Sequence, residues 1–149
     1  MDLQRAIEIA VEAHKGQFDK AGAPYILHPL RVMQSLDTEN ERIVGVLHDV
    51  VEDGPGWTFE RLEAEGFSPE VIAALELVTK RVEDEGDDDE TYLRFVRRAL
   101  TNPIARRVKA ADIRDNLDLK RLVDITDRHV KRLKRYRRAL AELEVLQLV

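Results

Sequence analysis

The sequence predicts an all-α fold, and three observations carry that prediction. Apolar residues recur at spacings of three and four along most of the chain, which is the signature of helices with one buried face. No stretch sustains the period-two alternation of a half-buried strand. The breaks between stripes also look like helix starts: Thr58, Ser68-Pro69 and Asn102-Pro103 each stand just ahead of an apolar run. With 149 residues, no internal repeat and no linker, residues 1–149 are expected to form one compact domain, which at this size buries roughly 70% of its unfolded surface.

The elements follow in order. Leu3, Ala6, Ile7, Ala10, Val11 and His14 define an amphipathic helix over residues 2–15, stopped by Gly16. Residues 16–27, with Gly22 and Pro24, read as a loop. His28-Pro29 suits the first turn of a helix carrying Leu30, Met33 and Leu36. A third helix is expected from about Asn40 to Val51, closed by Gly54-Pro55-Gly56, and Thr58 caps a short helix that ends at Gly66. Ser68-Pro69 opens the helix of Val71, Ile72, Leu75 and Val78. An acidic loop at 83–90 precedes a helix with Tyr92, Phe95, Val96, Ala99 and Leu100. The helix after Asn102-Pro103 carries Ile104, Ala105, Val108, Ala111, Asp112, Asp115, Asn116 and Leu119 on one stripe. The last helix, about Asp127 to Leu146, turns Val130, Leu133, Tyr136, Leu140 and Leu143 inward. Beyond them, Val145, Leu146, Leu148 and Val149 either pack within the chain or form an interface, so the oligomeric state stays open.

Composition removes several classes of function. With no cysteine, there is neither a disulfide nor a thiolate ligand, and any metal must sit on nitrogen and oxygen. No apolar run approaches the ~20 residues that span a bilayer. The N-terminus enters an amphipathic helix directly, without a signal-peptide core. A cytoplasmic protein without a membrane partner is expected. The net charge of −5 argues against a general nucleic-acid binder, although acidic residues concentrate at 83–90 and basic ones at 128–138.

The chemistry concentrates in Leu47-His48-Asp49-Val50-Val51-Glu52-Asp53. Ile43, Val44, Val46 and Leu47 precede this stretch as a buried stripe, and an ionisable pair inside one must be paired, neutralised or coordinated. Further candidate ligands occur at His28 and Asp112, each at or beside a helix. Two imidazoles and two carboxylates suit a borderline divalent ion such as Mn²⁺, Fe²⁺ or Zn²⁺. Such an ion lowers the pKa of a bound water and polarises a phosphoryl oxygen. Glu52 and Asp53, about one helical turn after the dyad, are placed to orient or deprotonate that water.

The order His28…His48-Asp49…Asp112 resembles the H…HD…D signature of the HD superfamily of metal-dependent phosphohydrolases. Three blocks narrow the likeness to RelA/SpoT-type alarmone hydrolase domains: residues 16–29 (GQFDKAGAPYILHP), 47–53 (LHDVVED) and 108–117 (VKAADIRDNL). The resemblance covers about residues 3–120 and implies a single HD-type helical domain. It also implies a 3′-pyrophosphohydrolase that removes pyrophosphate from (p)ppGpp, typically with one Mn²⁺. Most of the chain is used by this unit, so the expectation is a stand-alone small alarmone hydrolase serving the stringent response. By position, His28, His48, Asp49 and Asp112 would hold the metal, Glu52 and Asp53 would handle the attacking water, and Asn116 would contact the nucleotide sugar. The family loop carries an arginine and then a lysine that meet base and phosphates. Here Lys20 is retained, but Asp19 stands at the arginine position, and Leu119 replaces a threonine often found past the asparagine. Asp19, which would accept hydrogen bonds and add negative charge, is accordingly expected to weaken ppGpp affinity, raising KM more than it lowers kcat. Asp19→Arg is expected to improve kcat/KM by roughly tenfold or more.

Other residues carry less specific signals. His14 reads as a hydrogen-bonded helix-end histidine and His129 as a solvated one. Asp115 either supports the ligands from behind or pairs on the surface with Arg114 or Lys109. The basic run 131–138 reads as a solvated face offset by the acidic loop, with the alternative that part of it borders the site and attracts a polyanionic nucleotide. Trp57 packs a loop or borders the pocket. Three functions compete: the enzyme, a nucleotide-sensing HD module that binds without cleaving, and a nucleic-acid binder using the basic helix. Within the enzyme class, the alternative substrate is an adenosine analogue or a 2′- or 3′-phosphorylated nucleotide.

Overall fold

A computed structural model describes residues 1–145 as helices joined by turns, with no strand among them. In chain order the helices are α1 (Leu3–Ala13), α2 (Leu27–Gln34), α3 (Glu39–Leu47), α4 (Val50–Asp53), α5 (Phe59–Glu65), α6 (Pro69–Val78), α7 (Asp89–Arg98), α8 (Pro103–Asn116) and α9 (Asp127–Val145). Single 3₁₀ turns lie at Val82–Asp84, Ala99–Thr101 and Leu119–Arg121. Most helices begin on a side-chain cap: Asp2, Thr38, Thr58, Ser68, Asp88 and Asn102 each accept a hydrogen bond from an amide of the first turn.

Two apolar clusters share α8. The larger joins α1, α2, α3, α5 and α6 to Ala105, Val108 and Ala111, and the smaller joins Leu93 and Val96 of α7 to Ala110, Ile113, Leu140 and Leu143. Gly45 lets α3 lie close to α2, since a Cβ there would fall 2.7 Å from Leu36 Cδ1. Trp57 is buried, with the Arg61 guanidinium 3.6 Å above its ring, so it packs the loop after α4.

The structure corrects several expected boundaries. The helix expected over 40–51 is broken at His48-Asp49, where Asp49 takes φ −105° and ψ 1° and α4 starts afresh. The first helix ends at Ala13, with His14 as its C-cap. Leu119 lies beyond α8, about half exposed, and Val130 is exposed rather than turned inward. The acidic segment is not wholly solvated: Asp84 is buried against the Arg98 guanidinium. The terminal residues Leu146, Leu148 and Val149, and the side chain of Val145, lie outside the described residues.

Candidate metal centre

The break at His48-Asp49 is what builds the centre. On a continuous helix, consecutive side chains diverge by roughly 100°. Here the chain turns, and His48 Nε2 comes to 3.0 Å from Asp49 Oδ2. From α2, His28 Nε2 lies 3.9 Å from the same carboxylate oxygen, and ligand atoms of His28, His48 and Asp49 fall within 4.8 Å of one another. Asp112 on α8 completes the set, with Oδ1 at 2.9 Å from His28 Nε2 and 3.4 Å from His48 Nε2. All four expected ligands therefore meet, and both imidazoles and Asp112 are buried.

The surroundings fix which ring nitrogen faces inward. His48 Nδ1 is 2.6 Å from the Gly45 carbonyl, and His28 Nδ1 is 2.6 Å from Asp115 Oδ2. With Nδ1–H donating to these acceptors, both Nε2 lone pairs converge on the carboxylates, the arrangement a metal requires. His48 Nε2 is buried without a hydrogen-bond partner, which is the expected state of an atom kept for coordination. The donor set therefore fits a divalent cation on nitrogen and oxygen ligands.

Behind the ligands stands a layer that residue pattern alone does not reveal. Tyr25 Oη donates a short hydrogen bond to Asp49 Oδ2. Lys109, expected at the surface, is buried and donates to Asp112 Oδ2 at 2.8 Å. Asp115 pairs with neither Arg114 nor Lys109. It accepts from Arg31 Nε at 2.8 Å and lies 3.2 Å from Arg121 Nη1, besides holding His28. The available signal for Lys109 was its place one turn before Asp112, within a buried stripe. Tyr25 and Arg121 left no comparable signal, because loop geometry decides where they point.

Charge follows the same plan. Burial works against ionising Asp112, yet Lys109, His48 and His28 together hold its carboxyl well below the usual carboxylate range. Burial also opposes ionisation of Asp49, and the neighbouring His48 outweighs it. Asp115 is half-buried, which opposes its ionisation, but His28 and Arg31 bring it down to about 2. In return, and against burial, the carboxylates raise the proton affinity of both imidazoles. A divalent cation would meet this same excess of negative charge, so proton and metal compete for the Nε2 lone pairs.

Glu52 and Asp53 lie beside the centre, with carboxylate oxygens within 4.8 Å of Asp49's. Burial, reinforced by the Asp49 charge, raises both above their ordinary values. Glu52 Oε1 accepts the Lys80 amide at 2.6 Å, which fixes one oxygen and leaves the other free. Gln17 Nε2 donates to the Asp53 carbonyl at 2.8 Å, while its Oε1 meets Nδ1 of His14, so His14 braces this turn as a helix-end histidine.

The centre opens into a cleft of about 320 Å³ that Asp19, Lys20 and Asn116 also line. Asn116 donates to Asp112 Oδ1 at 3.2 Å and accepts from Arg121 at 2.6 Å. Asp19 holds its own loop together. Its Oδ1 accepts from the amides of Ala21 and Ala23, both at 2.9 Å, and Oδ2 stands 4.0 Å from Arg121 Nη2. The carboxylate thus closes a turn and faces a cation supplied from the far side of the cleft. Asp19 accepts hydrogen bonds, as a carboxylate at this position is expected to, but from its own loop's amides.

No protein-family model matches the chain. Individual proteins do. A guanosine-3′,5′-bis(diphosphate) 3′-pyrophosphohydrolase of Aquifex aeolicus is 34% identical over 122 residues, covering 78% of this chain and 17% of that protein. A probable GTP pyrophosphokinase of Mycobacterium leprae is 33% identical over 151 residues, covering 97% of this chain and 18% of its own length. Among solved structures, a metazoan ortholog of SpoT described as hydrolysing ppGpp superposes with a TM-score of 0.76 at 24% identity, over 95% of this chain and 84% of that one. Fold and site together define an all-α domain in which His28, His48, Asp49 and Asp112, in the order of the HD signature, converge on one centre. These likenesses support the reading of a RelA/SpoT-type hydrolase domain. The chain spans less than a fifth of the length of those two curated relatives. Among the described residues, no helix is long and apolar enough to cross a membrane.

Proposed function

We propose that this domain is a metal-dependent phosphohydrolase that removes pyrophosphate from the 3′ position of (p)ppGpp, with Mn²⁺ as its ion. The reading takes residues 1–149 as one catalytic unit, and it places the protein in the cytoplasm with its nucleotide substrate. The observation that carries it is the convergence of His28, His48, Asp49 and Asp112 with the Glu52-Asp53 pair in one cleft. The relatives' names point both to hydrolysis and to pyrophosphate transfer. A site built from metal ligands beside two carboxylates of raised pKa suits the activation of water. It also disfavours a sensing module that binds without cleaving, because the proton acceptors are retained.

When bound, the ion supplies Lewis acidity at the phosphoryl oxygens and lowers the pKa of a water. The residues of the chain do the remainder. Glu52, fixed through the Lys80 amide, or its neighbour Asp53 accepts a proton from the water. The water oxygen adds to the phosphorus carried on the 3′ oxygen, the P–O3′ bond breaks, and pyrophosphate leaves. The same carboxyl returns its proton to the 3′ oxygen. Asn116 and Lys20, on the cleft wall, bind and orient the nucleotide.

The test is a substrate panel on purified, Mn²⁺-loaded protein: ppGpp, pppGpp, the adenosine analogue, and nucleotide 2′- and 3′-monophosphates, with products identified by mass. Turnover of the guanosine 3′-pyrophosphates to GDP or GTP plus pyrophosphate is expected. Preferential turnover of a monophosphate, or of the adenosine analogue, would replace the substrate assignment.

A further inference from the structure

The centre has ligand atoms enough for two cations. They converge in two groups that share Asp49: His28, His48 and Asp49 in one, Asp49, Glu52 and Asp53 in the other. Asp112 adds a fourth carboxylate, with Oδ1 turned to the imidazoles. Its Oδ2 is taken. The Lys109 ammonium lies 2.8 Å away, buried, and borders the same cleft. Phe95 backs it, with Nζ 4.6 Å from the ring centre. Burial works against the charge, but Asp112 above all, with a contribution from Asp49, keeps Lys109 protonated. Its influence reaches the second group as well: against the burial that raises Glu52, the Lys80 amide and the Lys109 charge pull the carboxyl down. Other cations nearby do not share this position. Arg121 is engaged by Asp115 and Asn116, and Lys20 and Lys80 are exposed, where water and salt screen them.

We propose that Lys109 is the centre's built-in second cation: its ammonium offsets the carboxylates that would otherwise draw a second divalent ion, and so holds the centre to one ion and leaves Glu52 and Asp53 free to take protons. This rests on the metal centre of the function proposed above. The physical reason is that a fixed positive charge, sheltered from water, repels a divalent cation strongly at the distances within this cluster, whereas an exposed lysine would not. A lysine also cannot be released into solvent as an ion can, so the count does not depend on how much metal the surroundings supply.

The experiment titrates metal-free protein with Mn²⁺, following free ion by electron paramagnetic resonance and bound ion by elemental analysis. Wild type should take one ion. Lys109→Gln, which removes the charge and keeps much of the volume, should bind a second ion at least about a hundredfold more tightly than wild type does. The two neighbouring ions should also broaden each other's spectrum. Lys109→Arg keeps the charge and should stay at one ion. Tyr25→Phe removes a hydrogen bond to Asp49 but no charge, so it should stay at one ion too; a second ion admitted by simple loosening of the ligands would appear there as well. A single ion in Lys109→Gln, or a second in wild type, Lys109→Arg or Tyr25→Phe, would overturn the proposal. Should Lys109→Gln not fold, Lys109→Met keeps an unbranched stem against Phe95 and takes its place. If neither folds, wild type at millimolar Mn²⁺ decides, with two bound ions overturning the proposal and one supporting it. Wild type that binds no ion would remove the metal centre and the proposed reaction together, whereas one ion in both wild type and Lys109→Gln removes only the role of Lys109.

Discussion

Each imidazole of the centre is committed through Nδ1, His28 to Asp115 and His48 to the Gly45 carbonyl, so neither ring can turn its Nε2 away from the carboxylates. The most consequential substitutions therefore separate holding the ion from using it. Asp112→Ala should lose the ion and also leave Lys109 as an unpaired buried cation, a change that typically costs about 3–5 kcal/mol. Metal analysis together with thermal unfolding reads both effects. Glu52→Gln keeps shape and volume, so the ion should stay while turnover falls about 10²-fold, the scale of a general base. Because burial raises the Glu52 pKa, its basic form is favoured only as pH rises. The acid limb of kcat/KM should therefore lie above the ordinary glutamate range and should vanish in Glu52→Gln. Asp115 titrates the other way. Its pKa is lowered from 3.8 to about 2, so its stabilising effect is complete above the unfolded value and lost as pH falls towards the folded one. Chemical denaturation should show Asp115→Asn less stable than wild type near neutrality, with the gap closing at strongly acid pH. The convergence of His48 and Asp112 was legible in the sequence because costly residue types sit inside apolar stripes, and Glu52 and Asp53 stood out by following the dyad at the helix end. Lys109 was not legible, since a lysine in a helix reads as surface until its partner is located.

At the scale of elements, the informative departure is the break between α3 and α4. Hydrophobic spacing runs through Val46, Leu47, Val50 and Val51 and gives no hint of it, because both short helices bury the same side. The break follows from tertiary demand, since His48 and Asp49 serve one centre only if the chain turns between them. The packing of α2 on α3 depends on Gly45, and Gly45→Ala should cost about 1–3 kcal/mol by overpacking against Leu36. Denaturant unfolding measures this, and unchanged stability would show that Leu36 yields freely. Loop 16–26 supplies the other lesson at this scale. The sequence shows Asp19 where the resembling domains carry an arginine, but it cannot show that the carboxylate binds two amides of its own loop and faces Arg121. Asp19→Arg should therefore impair kcat/KM, by releasing the loop and setting two cations side by side, whereas Asp19→Asn keeps an acceptor for the amides and should be milder. Improved turnover in Asp19→Arg would restore the simpler reading of a missing contact.

For the molecule as a whole, α2, the end of α3 and α8 each contribute to one centre, and the larger apolar cluster fixes those helices against one another. The all-α class was readable in the sequence from periodicity, and the four residues that converge on one centre were singled out by residue type. The cleft was not, because it forms between helices distant in the chain, with Arg121 and Arg132 contributed from beyond α8. The central proposal is that water activated beside His28, His48, Asp49 and Asp112 cleaves the bond between phosphorus and the 3′ oxygen. Turnover of ppGpp by the Mn²⁺-loaded protein in ¹⁸O-enriched water, followed by mass analysis of both products, tests it directly. The prediction is intact pyrophosphate carrying a single ¹⁸O, together with unlabelled GDP. Labelled orthophosphate, label in the nucleotide, or no turnover by protein shown to hold its ion would contradict it.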